Sequence, residues 1–258
     1  MKHSCFLSPV HEGKFNYAHE LIKSYNHYYD DDHFYFVFSS DDEEKKFREI
    51  TKDLRYRTII YRGDITPGII TLKKYHGLLE AFSKSDFKNI AVIDSDSIFI
   101  KNINYDTLFG EYNSNIILYA NKSDYTNNIM TSCLDYFNQE ERKKIESETK
   151  NCYFWFNEIP IYEKNKFLEF IKYINYTENH KKISWENFDF LIYGYFLILM
   201  DYAKISILDI NSSLSFLESQ KEIDTNKFEE IFNSYNPMWI MKSINNMKNC
   251  FMEFHKDR

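Results

Sequence analysis

The first hundred residues alternate between short apolar runs and amphipathic segments, and this alternation restricts the possible folds more than any other feature. Apolar residues spaced three and four apart predict helices, whereas short runs of aromatic and β-branched residues predict strands. The predicted strands are Cys5–Leu7, Phe34–Phe38, Arg57–Tyr61 and Asn89–Ile93, and the predicted helices are 14–25, 41–52 and 70–82. Strands that alternate with helices favour a mostly parallel sheet covered by helices. We therefore expect an α/β fold.

The second half of the chain is less regular. Its patterns predict helices over 138–150, 164–174, 185–200, 226–234 and 238–252, and strands over 116–120, 152–156 and 203–210. No internal repeat and no linker interrupts the 258 residues. We therefore expect one domain over 1–258, with a helix-rich C-terminal half.

Charge and cysteine usage exclude several classes of protein. The net charge is −7 and no extended basic stretch occurs, so a general nucleic-acid binder is not expected. The four cysteines are scattered and form no C-x-x-C pair, which argues against a structural zinc site and a disulfide scaffold. The first residues turn polar at once, so a signal peptide is not expected. A cytoplasmic protein is expected, and peripheral association with the inner face of the cytoplasmic membrane stays open.

Three common catalytic motifs are absent from the sequence. Without a G-x-G-x-x-G after the first strand, a dinucleotide-dependent oxidoreductase is not expected. The chain also has no G-x-x-x-x-G-K-[ST], which argues against a P-loop kinase, and no G-x-S-x-G, which argues against a serine hydrolase.

The triplet Asp94-Ser95-Asp96 directly follows the apolar run 90–93 and precedes the apolar run 98–100. Carboxylates in such a stretch are costly unless they are neutralised. In open α/β sheets, ligands bind beyond the carboxyl ends of strands, where this triplet is predicted to lie. Asp94 and Asp96 can reach one divalent cation, and Mg²⁺ or Mn²⁺ bridges diphosphate oxygens. The alternative is a polar turn capped by aspartates.

A pair of lysines precedes the triplet, on the predicted helix 70–82. Helical spacing predicts that one of Lys73 and Lys74 faces the ligand side while the other faces solvent. A lysine on the ligand side could pair with a phosphate. Two solvated lysines are the alternative.

A second acidic segment lies at the predicted start of helix 185–200. Glu186 and Asp189 are three residues apart and could share one helix face, where a carboxylate could serve as general base on a hydroxyl. Trp185 could stack on a sugar ring. The alternative is capping and compensation of the helix dipole. Asn157-Glu158 is a second, weaker candidate, and Lys181-Lys182 is interpreted as solvated surface.

The stretches 73–79 (KKYHGLL) and 89–99 (NIAVIDSDSIF) resemble the donor-site region of GT-A-fold glycosyltransferases. The resemblance covers residues 1–102 by element order and motif. It implies a GT-A sheet whose D-x-D binds Mn²⁺ or Mg²⁺ and a nucleotide sugar, most often a UDP-sugar. It makes 1–102 the nucleotide-sugar half and 103–258 the acceptor half. The implied donor-site residues are Ser8, Pro9, His11, Lys74, Asp94, Ser95 and Asp96.

The same resemblance assigns roles within that set. Ser8, Pro9 and His11 would lie near the nucleobase and ribose, Asp94 would contact the ribose or the metal, and Asp96 would bind the metal directly. Many metal-dependent members add a late histidine as a ligand, a position that His255 could fill. The H-x-x-G-x-K-P-W pattern of one retaining subgroup is absent, and an unengaged tail residue is the alternative for His255.

The resemblance implies a glycosyltransferase that moves a sugar from a nucleotide-sugar donor to a glycan or lipid-linked glycan. The composition suggests a bacterial source, for which the acceptor would be a surface glycan such as capsule or lipooligosaccharide. One alternative is a haloacid-dehalogenase-type phosphohydrolase with Asp94 as nucleophile. Another is a non-catalytic sugar- or nucleotide-binding module.

Overall fold

The computed structural model describes residues 3–99, 115–119, 124–149, 160–208, 237–240 and 251–256. The strands in these ranges are β1 (Ser4–Pro9), β2 (Phe34–Phe38), β3 (Arg57–Ile60), β4 (Asn89–Val92), β5 (Ser97–Phe99), β6 (Asn115–Tyr119), β7 (Ile161–Glu163), β8 (Lys204–Leu208), β9 (Pro237–Ile240) and β10 (Phe251–Lys256). The helices are α1 (Phe15–Tyr28), α2 (Asp41–Ile50), α3 (Ile69–Lys84), α4 (Asp124–Leu134), α5 (Gln139–Thr149), α6 (Lys164–Tyr173), α7 (Tyr176–Asn179) and α8 (Asp189–Leu199). Short 3₁₀ turns cover Glu12–Lys14 and His180–Lys182.

The central sheet has the strand order β3-β2-β1-β4-β7. The first four of these strands are parallel to one another, and β7 runs antiparallel to β4. Helices connect the parallel strands, so the predicted mostly parallel α/β sheet is confirmed. The chain moves outward from β1 to β3 and then returns to the other side of β1 for β4. The boundary between β1 and β4 is therefore the topological switch point, where such sheets bind ligands.

The two faces of this sheet pack against different helices. Because side chains alternate along a strand, Phe6 and Phe36 belong to one apolar cluster together with α1 and α2, whereas Leu7 and Val37 face α3. Burial of each phenylalanine contributes about 1.5–3 kcal/mol. Gly77 lets α3 approach closely, since a Cβ there would lie 2.6 Å from a Val37 methyl group.

The second half follows its predictions in part. Helices α5 and α6 and strands β6 and β8 lie where the sequence predicts them, whereas α8 begins at Asp189 rather than at residue 185. The helix predicted over 238–252 is wrong, because the described residues at its two ends form β9 and β10. Pairing of β10 with β5 and β9 overrides the helical spacing there. The elements predicted over 152–156 and 226–234 lie outside the described residues.

Two further expectations concern membranes and cysteines. No helix within the described ranges combines the length and apolar character needed to cross a bilayer. Cys5 and Cys133, the two described cysteines, are free and buried.

Candidate active site

The carboxyl ends of three parallel strands meet at the switch point. The chain leaves β1 through Val10, whose N–H donates to the Val37 carbonyl at 3.1 Å. It leaves β4 through Ile93, whose N–H donates to the Leu7 carbonyl at 2.9 Å, and continues to Asp94. Helix α3 begins at this edge because β3 ends there. The topology thus brings the D-x-D turn, the end of β1 and the first turns of α3 together.

Lys74 lies at the centre of a buried ionic cluster at this edge. Its Nζ is 3.1 Å from Asp94 Oδ1 and 3.0 Å from Asp189 Oδ1. The other oxygen of Asp189, Oδ2, accepts a 2.5 Å hydrogen bond from the Tyr162 hydroxyl. Burial alone would lower the pKa of Lys74, but the Asp189 and Asp94 carboxylates outweigh it and raise this pKa. Lys74 is therefore a charged group at neutral pH.

The second carboxylate of the D-x-D is also paired with a lysine. Lys14, which ends the 3₁₀ turn after β1, places its Nζ 3.1 Å from Asp96 Oδ2. The side chain of Asp96 is 12% exposed and that of Lys14 is 25% exposed. The ion pair thus connects the loop after β1 with the loop after β4, on the two sides of the switch point.

Helical spacing predicts that one lysine of the pair 73–74 faces solvent, and this prediction is wrong. Lys73, like Lys74, is buried. It is 2% exposed, and its Nζ donates to the Val10 carbonyl at 2.5 Å and to Ser39 Oγ at 2.9 Å. Both lysines are buried because the first turns of α3 lie over the ends of β1 and β2. Lys73 thereby ties these two strand ends to the helix.

The ionic groups at this edge carry a net negative charge, which favours binding of a cation. Their sum is −1, from the side chains of Asp94, Asp96, Asp189, Lys14 and Lys74. Mg²⁺ and Mn²⁺ prefer oxygen ligands. In proteins they are commonly held by one or two carboxylates together with phosphate oxygens. The two D-x-D carboxylates fit such an ion. Among the side chains that the structure describes, no group of three His, Cys, Asp or Glu residues could hold a metal.

Ser97 adds an observation that the sequence did not single out. Its side chain is 1% exposed, and its hydroxyl has no hydrogen-bond partner among the described residues. A buried hydroxyl without a partner is costly. Because Ser97 directly follows Asp96, a ligand or ligand-bound water at the D-x-D turn is one source of the missing bond.

Of the residues implied for nucleobase and ribose contact, His11 has the accessible side chain. Ser8 and Pro9 are buried in β1, and Ser95 is 8% exposed. Partial burial of the ring, together with the positive charges of Lys73 and Lys14, lowers the pKa of His11. His11 therefore offers a neutral imidazole at the switch point.

The two predicted acceptor-side acids lie in different surroundings. Asp189 begins α8, is 2% exposed and belongs to the Lys74 cluster. Glu186 is half-buried in a turn before the helix, so the two do not share a helix face. Trp185, in the same turn, is 47% exposed. The candidate pair Asn157-Glu158 lies outside the described residues.

His255 lies in β10, which pairs with β5, the strand that follows the D-x-D turn. Glu253 pairs with Ser97 of β5, and the strands are antiparallel. This ladder ends at that pair, and His255 itself pairs with Met238 of β9. The backbone arrangement therefore leaves the predicted metal role of His255 open to test.

Comparisons with known proteins give distant likenesses only. No protein-family model matches the chain, and no curated protein matches it. Core-mannan synthase A (CmsA/Ktr4) from Aspergillus fumigatus, in its Mn/GDP form, is 13% identical with a TM-score of 0.45, and the alignment covers 81% of this chain and 73% of that one. S. aureus TarS 1-349 is 14% identical with a TM-score of 0.40, covering 81% and 58% of the two chains.

A second structure of S. aureus TarS is 13% identical with a TM-score of 0.42, covering 91% of this chain and 39% of that one. The chain therefore spans less than two thirds of either TarS chain. Likenesses this weak carry no functional argument, so function is inferred here from the site.

Sequence reasoning missed Lys14, Tyr162 and Ser97. A signal for Lys14 existed, because it is a basic residue in the loop directly after the first parallel strand. Tyr162 had no such signal, because β7 is only three residues long and joins the sheet from a distant part of the chain.

Proposed function

We propose that this chain is a metal-dependent glycosyltransferase that uses a nucleotide-sugar donor. The observation that carries the proposal is the D-x-D turn at the β1/β4 switch point, where the five charged side chains retain a net negative charge. A nucleoside diphosphate is anionic, so it needs a cation to approach such a turn. The resemblance of the surrounding sequence to GT-A donor sites supports the same assignment.

Asp96 and Asp94 would hold Mn²⁺ or Mg²⁺, with His255 as a further ligand. A bound divalent cation stabilises negative charge on a departing diphosphate. Lys14, which pairs with Asp96, is partly exposed and would turn to a phosphate oxygen of the donor. His11 would contact the nucleobase or ribose. UDP is our first choice of nucleotide, by its frequency in the family that the sequence resembles.

Glu186 is the better placed of the two acceptor-side acids to act as general base. It is partly accessible, whereas Asp189 is buried and engaged by Lys74 and Tyr162. We therefore propose that Asp189 positions Lys74 and, through it, Asp94. Trp185 would provide an exposed ring for stacking on the acceptor sugar. The acceptor would be a glycan or lipid-linked glycan of a bacterial surface polymer.

A donor-cleavage assay tests the proposal. The protein is incubated with UDP-glucose, UDP-galactose, UDP-N-acetylglucosamine or GDP-mannose, with and without Mn²⁺, and release of the nucleoside diphosphate is measured. We expect metal-dependent release from at least one donor. Asp96→Asn should lower this rate by about a hundredfold, because the leaving diphosphate loses its metal. Asp53→Asn, an exposed acid away from the site, should keep the rate.

Two other outcomes would favour the alternatives. Hydrolysis of a generic aryl phosphate that Asp94→Asn abolishes would favour a phosphohydrolase with Asp94 as nucleophile. Metal-dependent nucleotide binding without turnover of any donor or aryl phosphate would favour a non-catalytic binding module.

A further inference from the structure

Tyr162 lies beside the strand that leads to the D-x-D turn. It is the middle residue of β7, and its backbone pairs with Ile90 of β4, four residues before Asp94. Its side chain is fully buried, in the apolar cluster on the face of the sheet that packs against α3 and α8. The strand pairing therefore fixes the position of Tyr162 relative to the strand whose end holds the candidate active site.

Aromatic contacts hold the ring of Tyr162 in one orientation. The ring stacks on Tyr193 of α8, with the ring centroids 4.6 Å apart and the planes 29° from parallel. Phe167 of α6 contacts it edge-on, at a centroid distance of 5.5 Å. Stacked and edge-to-face contacts are the geometries that aromatic pairs prefer. The ring therefore presents its hydroxyl at one fixed point.

The hydroxyl of Tyr162 fixes one oxygen of the Asp189 carboxylate. It donates to Oδ2 at 2.5 Å, while Lys74 Nζ lies 3.0 Å from the other oxygen, Oδ1. Burial and the Asp189 charge raise the pKa of Tyr162, so the hydroxyl keeps its proton and acts as the donor. The Tyr75 hydroxyl holds the backbone of the same residue, because it donates to the Asp189 carbonyl at 3.1 Å. Rotation of the carboxylate would therefore break the contacts at both of its oxygens.

These contacts form a chain that reaches the D-x-D turn. Tyr162 directs Oδ1 of Asp189 toward Lys74, whose Nζ is also 3.1 Å from Asp94 Oδ1. Without the hydroxyl, Oδ2 would be a buried carboxylate oxygen that has lost its donor, which is costly. The Lys74 ammonium has three N–H donors and would shift toward that oxygen. Such a shift moves the ammonium away from Asp94 and releases the Asp94 carboxylate.

We propose that Tyr162 is a positioning residue of the candidate active site, which holds the Asp94 carboxylate in its working orientation through Asp189 and Lys74. Because its side chain is fully buried, Tyr162 acts through these two residues and not on a substrate. The effect on rate rests on the proposed transferase function, whereas the coupling between Tyr162 and Asp94 is a property of the folded chain.

Donor cleavage by Tyr162→Phe tests the effect on rate, with the donor and metal that the wild type uses. We expect kcat to fall about tenfold while KM for the donor stays within about twofold, because a misplaced carboxylate slows the reacting step more than it weakens binding. Tyr25→Phe is the matched control. Tyr25 is equally buried and donates to the Asp31 carboxylate, but Asp31 precedes β2, at the opposite edge of the sheet. This variant should keep the wild-type kcat.

A double-mutant cycle between Tyr162→Phe and Asp94→Asn tests the coupling without any substrate. Once residue 94 is uncharged, Lys74 is free to serve both oxygens of Asp189. Loss of the Tyr162 hydroxyl should then lower the melting temperature less than it does in the wild type. Tyr25→Phe combined with Asp94→Asn should give additive shifts, as distant sites do.

The two readouts separate this proposal from the transferase function. The proposal is overturned if Tyr162→Phe keeps the wild-type kcat in a chain that cleaves a donor, or if its melting shift is the same in both backgrounds of the cycle. A wild type that cleaves no donor while the cycle shows coupling would sink the transferase proposal and keep the positioning chain. Donor cleavage with additive melting shifts would do the reverse.

Discussion

Lys74 is buried between Asp94 and Asp189, and truncation of this residue tests whether the cluster supports the fold. Lys74→Met would leave the buried Asp189 carboxylate without its cation. We expect the free energy of unfolding to fall by about 3–5 kcal/mol, the usual cost of breaking a buried ion pair. Urea unfolding measures this loss.

Lys84→Met is the matched control for that measurement. Lys84 lies on the same helix and pairs with Glu80, but its side chain is 62% exposed. Exposed pairs contribute less than about 1 kcal/mol, so this variant should lose little stability. Equal losses in the two variants would contradict a special role for the buried cluster.

Lys14 provides a second test at the scale of single residues. Its ammonium pairs with Asp96, so it competes with any cation that binds there. Lys14→Met should raise the affinity for Mn²⁺ alone by about tenfold, because a competing and repelling positive charge is removed. Calorimetric titration with MnCl₂ measures the change. Unchanged or weaker Mn²⁺ binding would show that the ion does not bind at Asp96.

Lys73 makes stability depend on pH. Burial lowers the pKa of Lys73 to about 8, and the nearby Glu43 carboxylate opposes this only in part. Between this value and the ordinary value of 10.5, the unfolded chain binds a proton that the folded chain does not. The contribution of Lys73 to stability therefore rises with pH through this window, by up to about 3 kcal/mol.

Lys73→Met should flatten that rise. Urea unfolding at several pH values between about 8 and 10 would compare the variant with the wild type and with Lys84→Met. The wild type and Lys84→Met should share one slope, and Lys73→Met should have a less positive one. Three parallel pH profiles would contradict the assignment.

At the scale of elements, Gly68 sets how closely the start of α3 approaches the segment before α8. A Cβ on Gly68 would lie 2.3 Å from the Ile183 carbonyl oxygen, a backbone atom that cannot rotate away. Gly68→Ala should therefore cost about 1–3 kcal/mol, as overpacking does. Ile65→Ala, whose side chain is 81% exposed, should stay within about 0.5 kcal/mol of the wild type. Thermal unfolding compares the two, and equal melting temperatures would refute the close contact.

The elements from β1 to β4 could be predicted because their local patterns agree with the sheet that they form. Phe34–Phe38 is a strand by composition, and its side chains enter the apolar clusters on both faces of the sheet, while α3 has helical spacing on its buried face. The segment 238–252 could not be predicted in this way. Its strand β10 pairs with β9 and with β5, which is far away in the chain, and such pairing leaves no local pattern.

The candidate site, like the fold, could be predicted from the sequence only where local patterns determine it. The position of Asp94 and Asp96 at a strand exit follows from local sequence, since it needs only the strand and the triplet after it. The ion pair between Lys74 and Asp189 joins residues from two distant segments, so spacing cannot reveal it. The predicted helix 185–200 consequently suggested Asp189 as an accessible base, whereas Asp189 is in fact buried.

At the scale of the whole molecule, the strand order explains why several charged side chains lie at the carboxyl edge of the central sheet. Because β4 lies on the far side of β1 from β2, the turns after β1 and β4 are neighbours at the switch point, where such sheets bind ligands. The D-x-D, Lys14 and the first turns of α3 all lie at this edge. A single divalent cation bound there with a nucleoside diphosphate is the central claim.

Thermal shift of the intact chain with UDP or GDP, each with and without Mn²⁺, tests this claim most directly. A ligand that binds only the folded state raises the melting temperature in proportion to its occupancy. We predict stabilisation that needs both the nucleotide and the metal and that is lost in Asp96→Asn but kept in Asp53→Asn. Equal stabilisation without Mn²⁺, or full stabilisation of Asp96→Asn, would contradict it.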